Sequence, residues 1–236
     1  MGKNKGTLYL IPCTLGSDSP LDALPQHTLK TIHQLELFIV EDFKSGRNFV
    51  KQCEHPKAIQ SLNFEHFDKK TDHLLISEIM EPLLSGKDMG VISEAGCPGV
   101  ADPGSALVHY AHLNQIKVVP LIGPNSIIQA LMASGFNGQN FCFHGYLPKN
   151  TTDLKKKIQQ MEKQISDFRQ TQIFIETPYR TTQLIDTVLS SARKNTKFCI
   201  AANINQNNEV IKSDSIENWR KNKINFDKSP AVFLLY

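Results

Sequence analysis

The segment Ser93-Glu-Ala-Gly-Cys-Pro-Gly-Val-Ala-Asp-Pro-Gly104 carries the most suggestive chemistry in the chain. Gly96, Gly99 and Gly104 allow positive φ and let a backbone approach a ligand closely. Pro98 and Pro103 stiffen the loop, so that it is shaped in advance. Glu94 and Asp102 are acceptors suited to an amine, a ribose hydroxyl or a cation. The spacing is neither G-x-G-x-x-G nor a phosphate loop ending in Gly-Lys-Ser/Thr, which argues against dinucleotides and nucleoside triphosphates. The same glycines would also serve a bare strand-to-helix turn. Cys97 has no histidine paired with it in sequence and reads as a small space-filling residue rather than a nucleophile. The eight histidines include no H-E-x-x-H; His109 and His112 are only three apart on a helix, and we expect no metal site.

The elements that must position this loop follow from apolar periodicity. Thr7–Ile11, Leu37–Val40, Met89–Ser93 and Lys117–Ile122 read as short buried strands. Helices are predicted over Gln26–Leu35, around Asp72–Leu84 up to the stop Ser85-Gly86, over Ser105–Leu113, and from Ser126 to about Ala133. Between Phe43 and Phe67 the pattern predicts one helix and one short strand, and Gly16, Ser17, Asp18, Ser19 and Pro20 form a loop. This alternation is the signature of a mostly parallel α/β sheet. Ligands bind such sheets beyond the carboxyl ends of the strands, where Pro12–Gly16, Ser93–Gly104 and Gly123–Ser126 lie.

The second half reads as a strand at Phe141–Tyr146 and then a helix with Leu154, Ile158, Met161, Ile165 and Phe168 on one face, capped by Thr152 or Asp153. A strand Gln172–Ile175, a helix Thr182–Ala192 and strands Lys197–Ala202 and Ala231–Leu235 complete it. The lysines around Lys149–Lys157 could track a phosphate backbone or form the wet face of that helix. Phe141, Phe143 and Tyr146 could stack on bases or fill a core.

Composition sets the outer limits. The 236 residues suffice for one large domain or two small ones, and 40% apolar with 21% charged residues is ordinary for a soluble globular chain. A net charge of +3 neither argues for nor excludes nucleic acid. Five widely spaced cysteines without a C-x-x-C fit a reducing compartment better than a disulfide framework or a zinc site. With no signal-peptide core and no apolar run of membrane-spanning length, the expected location is the cytoplasm, without a membrane partner.

Six segments, in order, resemble the tetrapyrrole-methylase-like superfamily, above all its small-subunit rRNA ribose 2′-O-methyltransferase I branch. They are Gly6–Gly16, Val40-Glu-Asp42, Val91–Gly104, Val119–Ser126, Phe143–Pro148 and Phe174–Arg180. The resemblance covers about the first four-fifths of the chain, and Ser93–Gly104 is its most specific part. It implies two α/β domains, 1–121 with a mostly parallel sheet flanked by helices and 122–236 with a smaller mixed sheet. It also implies a homodimer, and S-adenosylmethionine in the cleft between the domains. Carried over by position, Pro12, Glu94, Ala95, Gly96, Pro98, Ser126, Ile127, Ile175, Glu176 and Thr177 would meet the cofactor.

The departures from the pattern fall elsewhere. Glu94 and Cys97 replace the usual Asp and Thr, which are mild changes. Glu41-Asp-Phe-Lys44, with Arg47 later, stands for Glu-Asp-Thr-Arg, and Ala202-Asn-Ile-Asn-Gln206 stands for a Glu-Leu-Thr-Lys segment. The chain is also shorter than typical members at its C-terminus. A ribose hydroxyl is a poor nucleophile, so methyl transfer to it would gain from a base or from a cation beside the developing alkoxide. Glu41, Asp42 and Lys44 are the catalytic candidates, with Asp102, Glu176 and Arg180 also at strand ends; Lys149 and Arg180 are candidates for substrate binding. Glu41-Asp42 could equally be a helix cap or a surface ion pair. Three functions follow: methylation of RNA in the small ribosomal subunit, methylation of a tetrapyrrole-like small molecule, or a cofactor-binding scaffold without catalysis.

Overall fold

The structure, a computed structural model, describes residues 4–16, 19–222, 226 and 228–236. Ser17 and Asp18 of the expected loop, and the first three residues, lie outside the described residues. The chain divides into two units, Met1–Asn125 and Ser126–Tyr236.

The first unit is built on strands β1 Thr7–Ile11, β2 Leu37–Val40, β3 Asn63–His66, β4 Met89–Ile92 and β5 Lys117–Pro120, in the order β3-β2-β4-β1-β5. All four pairings are parallel. Both faces of the sheet are covered, which is why these strands are nearly continuous apolar runs. Leu8, Ile39, Met89 and Val91 join one core cluster with Met80, Leu83 and Leu107. Their neighbours Ile11, Phe38, Val40 and Ile92 join another with Ile32, Phe49 and Val50. That division is the period of two of a strand. Helices Gln26–Gln34 and Ser105–Leu113 agree with the sequence reading to within a residue or two, and the helix and strand expected somewhere between Phe43 and Phe67 are Phe43–Gln52 and β3.

The single helix expected around Asp72–Leu84 is instead a 3-10 turn His73–Leu75 followed by two short helices, Ile76–Ile79 and Glu81–Leu84. Pro82 explains the break. It has no N–H to donate one turn back, and its ring crowds the preceding turn.

The second unit has strands β6 Phe141–Tyr146, β7 Thr171–Glu176, β8 Lys197–Ala202, β9 Val210–Ser215 and β10 Ala231–Leu235, in the order β6-β7-β10-β8-β9. The sheet is mixed: β6 runs parallel to β7, and the other pairings are antiparallel. The helix Thr151–Phe168 is capped by Asn150, whose Oδ1 accepts from the N–H groups of Thr152 and Asp153. The cap therefore sits two or three residues before the expected Thr152 or Asp153. Strand β9 and the helix Ile216–Lys221 were not expected, because Lys212, Ser213, Asp214 and Ser215 break the apolar pattern on an edge strand.

At the centre of this unit, the Phe233 ring stacks on Phe174 at 5.7 Å and on Phe198 at 6.1 Å, and Trp219 meets Phe198 edge-on. Phe233 is fully buried on the central strand. Phe233→Ala should destabilise the second unit by about 3–5 kcal/mol, measured by urea unfolding, with the m-value unchanged.

Candidate functional site

In the first unit the three loops expected at strand ends do meet. The Cys13 N–H donates to the Gly96 carbonyl at 2.7 Å, so the chain leaving β1 pairs with the glycine-rich loop leaving β4. A Cβ on Gly123 would lie 2.3 Å from Cγ of the buried Pro12, so only glycine lets the loop after β5 pack there. Cys97 Sγ donates to the Pro124 carbonyl at 3.5 Å and accepts from Asn125 Nδ2 at 3.4 Å. Cys97 thus fastens two loops, in keeping with a space-filling residue. Gly96 and Gly99 have φ of 72° and 79°, values that account for glycine at both positions.

The carboxylates divide by role. Asp102 Oδ1 accepts the N–H groups of Gly99 at 3.1 Å and Gly104 at 2.8 Å, folding the loop back on itself. Asp42 caps the helix Phe43–Gln52 by accepting from Lys44 N and Ser45 N, both at 2.9 Å. Asp42 therefore takes the capping role that sequence reasoning had set beside the catalytic one. Lys44 is exposed on the same helix, and Arg47 lies over the rings of Phe43 and Phe64. Ser45, which the sequence reading missed, donates its hydroxyl to Glu94 Oε1 at 2.6 Å and so ties the helix after β2 to the β4 loop. No local pattern marks it, because its partner is 49 residues away.

Glu41, half-buried at the end of β2, faces Asp102 and Glu94. Its pKa is pushed from the ordinary 4.5 up to about 7, first by burial and then by the hydrogen bond and charge of Asp102; the charge of Glu94 adds to this and a backbone contact there opposes it. Glu94 and Ala95 are exposed, whereas Gly96 and Pro98 are buried. The outcome is a cluster of three carboxylates, Glu41, Glu94 and Asp102, beside the glycine-rich loop, an electrostatic setting that favours a positively charged ligand. Among the described residues, no group of three or more His, Cys, Asp or Glu side chains is arranged to hold a metal ion. No described helix is long and apolar enough to cross a membrane.

In the second unit, β6, β7 and β8 run in one direction, so the segments that follow them lie along one edge of the sheet. Glu176 at the end of β7 is buried. Its Oε1 accepts from Thr177 N at 2.7 Å, and its Oε2 lies 3.1 Å from Arg180 Nη1 in an ion pair that lacks hydrogen-bond angles. Ile175 is half-buried, Thr177 is exposed, and Tyr179 between them and Arg180 is 88% exposed. Lys149 is exposed beyond the end of β6.

The segment Asn203–Gln206 follows β8 on the same edge. Asn203 and Asn205 are left-handed, and the side chains of Asn205 and Gln129 pair amide to amide at 3.2 and 3.4 Å. That contact brings the first turn of the helix Ser126–Ser134, with Ser126 half-buried and Ile127 buried, to this loop. The candidates in the second unit are therefore gathered at one sheet edge, and those in the first unit at another.

No family model matches the chain. Relatives do, along nearly all of it. The "Ribosomal RNA small subunit methyltransferase I" of Buchnera aphidicola is 28% identical over 234 residues, covering 98% of this chain and 78% of the relative. The protein of the same name from Haemophilus influenzae is 29% identical over 216 residues, covering 92% and 72%. Among solved structures, the methyltransferase CobJ has a TM-score of 0.63 at 14% identity, covering 99% of this chain and 94% of that one. Diphthine synthase has a TM-score of 0.63 at 13% identity, covering 97% and 88%. The chain is thus similar along nearly all of its own length to about three quarters of the ribosomal RNA small subunit methyltransferase I proteins, and it carries the fold of the tetrapyrrole methylases.

Proposed function

We propose that this protein is an S-adenosylmethionine-dependent methyltransferase that methylates a ribose 2′-hydroxyl in RNA of the small ribosomal subunit. The observation that carries this reading is the similarity to small-subunit rRNA methyltransferases along nearly the whole chain. The carboxylate cluster beside the glycine-rich loop of the first unit supports the cofactor, because the donor brings a positively charged sulfonium. In this reading the exposed Glu94 and Ala95 bind the donor, with Gly96, Pro98 and Pro12 behind them. For the second unit, the family resemblance points to Ser126, Ile127, Ile175, Glu176 and Thr177 as the residues that would meet the donor. The donor supplies an activated methyl group with its own leaving group, so the chain's task is orientation and proton handling.

Glu41 is the proposed proton acceptor. A carboxylate with a pKa near 7 is half-ionised at neutral pH and still basic enough to assist loss of the hydroxyl proton. Asp102 and Glu94 keep it there, and Lys149 and Arg180 meet the RNA backbone. We further propose a cytoplasmic homodimer; exposed apolar side chains such as Ile128, Met132 and Phe141 on the second unit offer a surface for it, and light scattering in solution tests it.

The primary experiment incubates the protein with methyl-labelled S-adenosylmethionine and small ribosomal subunits lacking the modification. Label in a ribose of the RNA is expected; tight cofactor binding without label in RNA would refute the reading. Glu94→Ala should weaken cofactor binding by about tenfold by calorimetry, roughly 1.4 kcal/mol. Glu41→Gln should lower kcat by about 100-fold or more while leaving cofactor affinity near its original value. In the parent protein, kcat should rise with pH through about 7 as Glu41 ionises. Asp102→Asn, which keeps an acceptor for Gly99 and Gly104 but removes the charge, should move that rise to lower pH.

The same shift has a stability consequence. Between about 4.5 and about 7 the folded chain holds a proton on Glu41 that the unfolded chain releases, so stability falls as pH rises through this window. Glu41→Gln should therefore be more stable than the parent above pH 7 by about 1 kcal/mol after solvent screening, and indistinguishable from it below pH 4.5, by urea unfolding at the two pH values.

A further inference from the structure

A cluster in the second unit, separate from these loops, combines a nucleophile, a base and an orienting group. Cys142 and His144 are two apart on the edge strand β6. Cys142 Sγ lies 3.9 Å from His144 Nδ1, and His144 Nε2 lies 2.7 Å from Gln172 Oε1.

The direction of this chain of contacts is fixed at its far end. The Phe168 carbonyl can only accept, so Asn140 turns Nδ2 to it at 2.9 Å and offers Oδ1 to Gln170 Nε2 at 3.0 Å. Gln172 Nε2 then donates to the Gln170 carbonyl at 2.9 Å and to Gln170 Oε1 at 3.1 Å. Gln172 is left presenting Oε1 to His144, so Nε2 of the imidazole carries the proton and Nδ1 keeps a lone pair aimed at the thiol. Gln172 is fully buried and has no water to turn toward. Burial, reinforced by the charge of Lys157 and opposed by Gln172, holds the His144 pKa below its usual value. The imidazole is therefore neutral at physiological pH, with the Nδ1 lone pair available as an acceptor. Cys142 is half-buried, whereas Cys13, Cys53 and Cys199 are buried.

We propose that Cys142 is a site of thiol–disulfide exchange with small disulfides, with His144 as its proton acceptor and Gln172 as a positioning residue. In the step, the Cys142 S–H proton passes to His144 Nδ1 while the sulfur bonds to one sulfur of the disulfide. The S–S bond breaks, and the departing thiolate takes the proton from His144. One disulfide is lost and one mixed disulfide forms, with a free small thiol as co-product. This site does not depend on methyl transfer.

The test treats the full chain with oxidised glutathione and follows each cysteine by peptide mass spectrometry. The first adduct is expected on Cys142, ahead of the other half-buried thiol, Cys97. His144→Ala should slow adduct formation at Cys142 by at least about tenfold, and added free imidazole should restore part of the rate. His144→Asn, which is polar but not a base, should show the same slowing, with far-UV circular dichroism confirming that the variants fold. First reaction at Cys97, or an unchanged rate at Cys142 in both folded variants, would overturn the proposal.

Discussion

Parallel pairing of β1 with both β4 and β5 is the constraint on which the first unit's chemistry depends. Because three adjacent strands point the same way, the loops leaving them must share one edge. The Cys13–Gly96 hydrogen bond and the close fit of Gly123 over Pro12 turn that shared edge into a fixed surface. Its shape is therefore set before any ligand arrives. A preformed surface loses less ordering entropy on binding, which suits a loop whose backbone is its main contact.

Much of this was legible in the chain, for identifiable reasons. Short apolar runs bounded by Gly and Pro mark the buried strands, so β1, β2, β8 and β10 fall where periodicity puts them. The break at Pro82 was also readable in principle, since the proline lies inside the apolar pattern that suggested one helix. Strand β9 was hidden because its edge position leaves half its residues wet and polar, and so its alternation does not stand out.

The sites were less legible than the fold, because their contacts are long-range. Ser45 meets Glu94 across 49 residues, and His144 meets Gln172 across 28; nothing within either segment announces the partner. Asn203–Gln206 looked like the loss of a charged segment. The structure shows it as a built loop, with two left-handed asparagines and an amide clamp to Gln129. An asparagine tolerates that conformation where most side chains do not, so the substitution carries a backbone reason as well as a chemical one.

Asp102 brings shape and chemistry together. From sequence it was an acceptor for a ligand; in the structure one of its oxygens is already engaged by Gly99 and Gly104. The same carboxylate hydrogen-bonds Glu41 and raises its pKa. Since a second negative charge beside Asp102 is unfavourable, the proton that Glu41 retains relieves the repulsion. Loss of that proton sets a charge against the residue that folds the glycine-rich loop. The conformation of the loop and the protonation of Glu41 are therefore linked through one side chain. The group proposed to take the proton is thereby tied to the loop proposed to hold the donor.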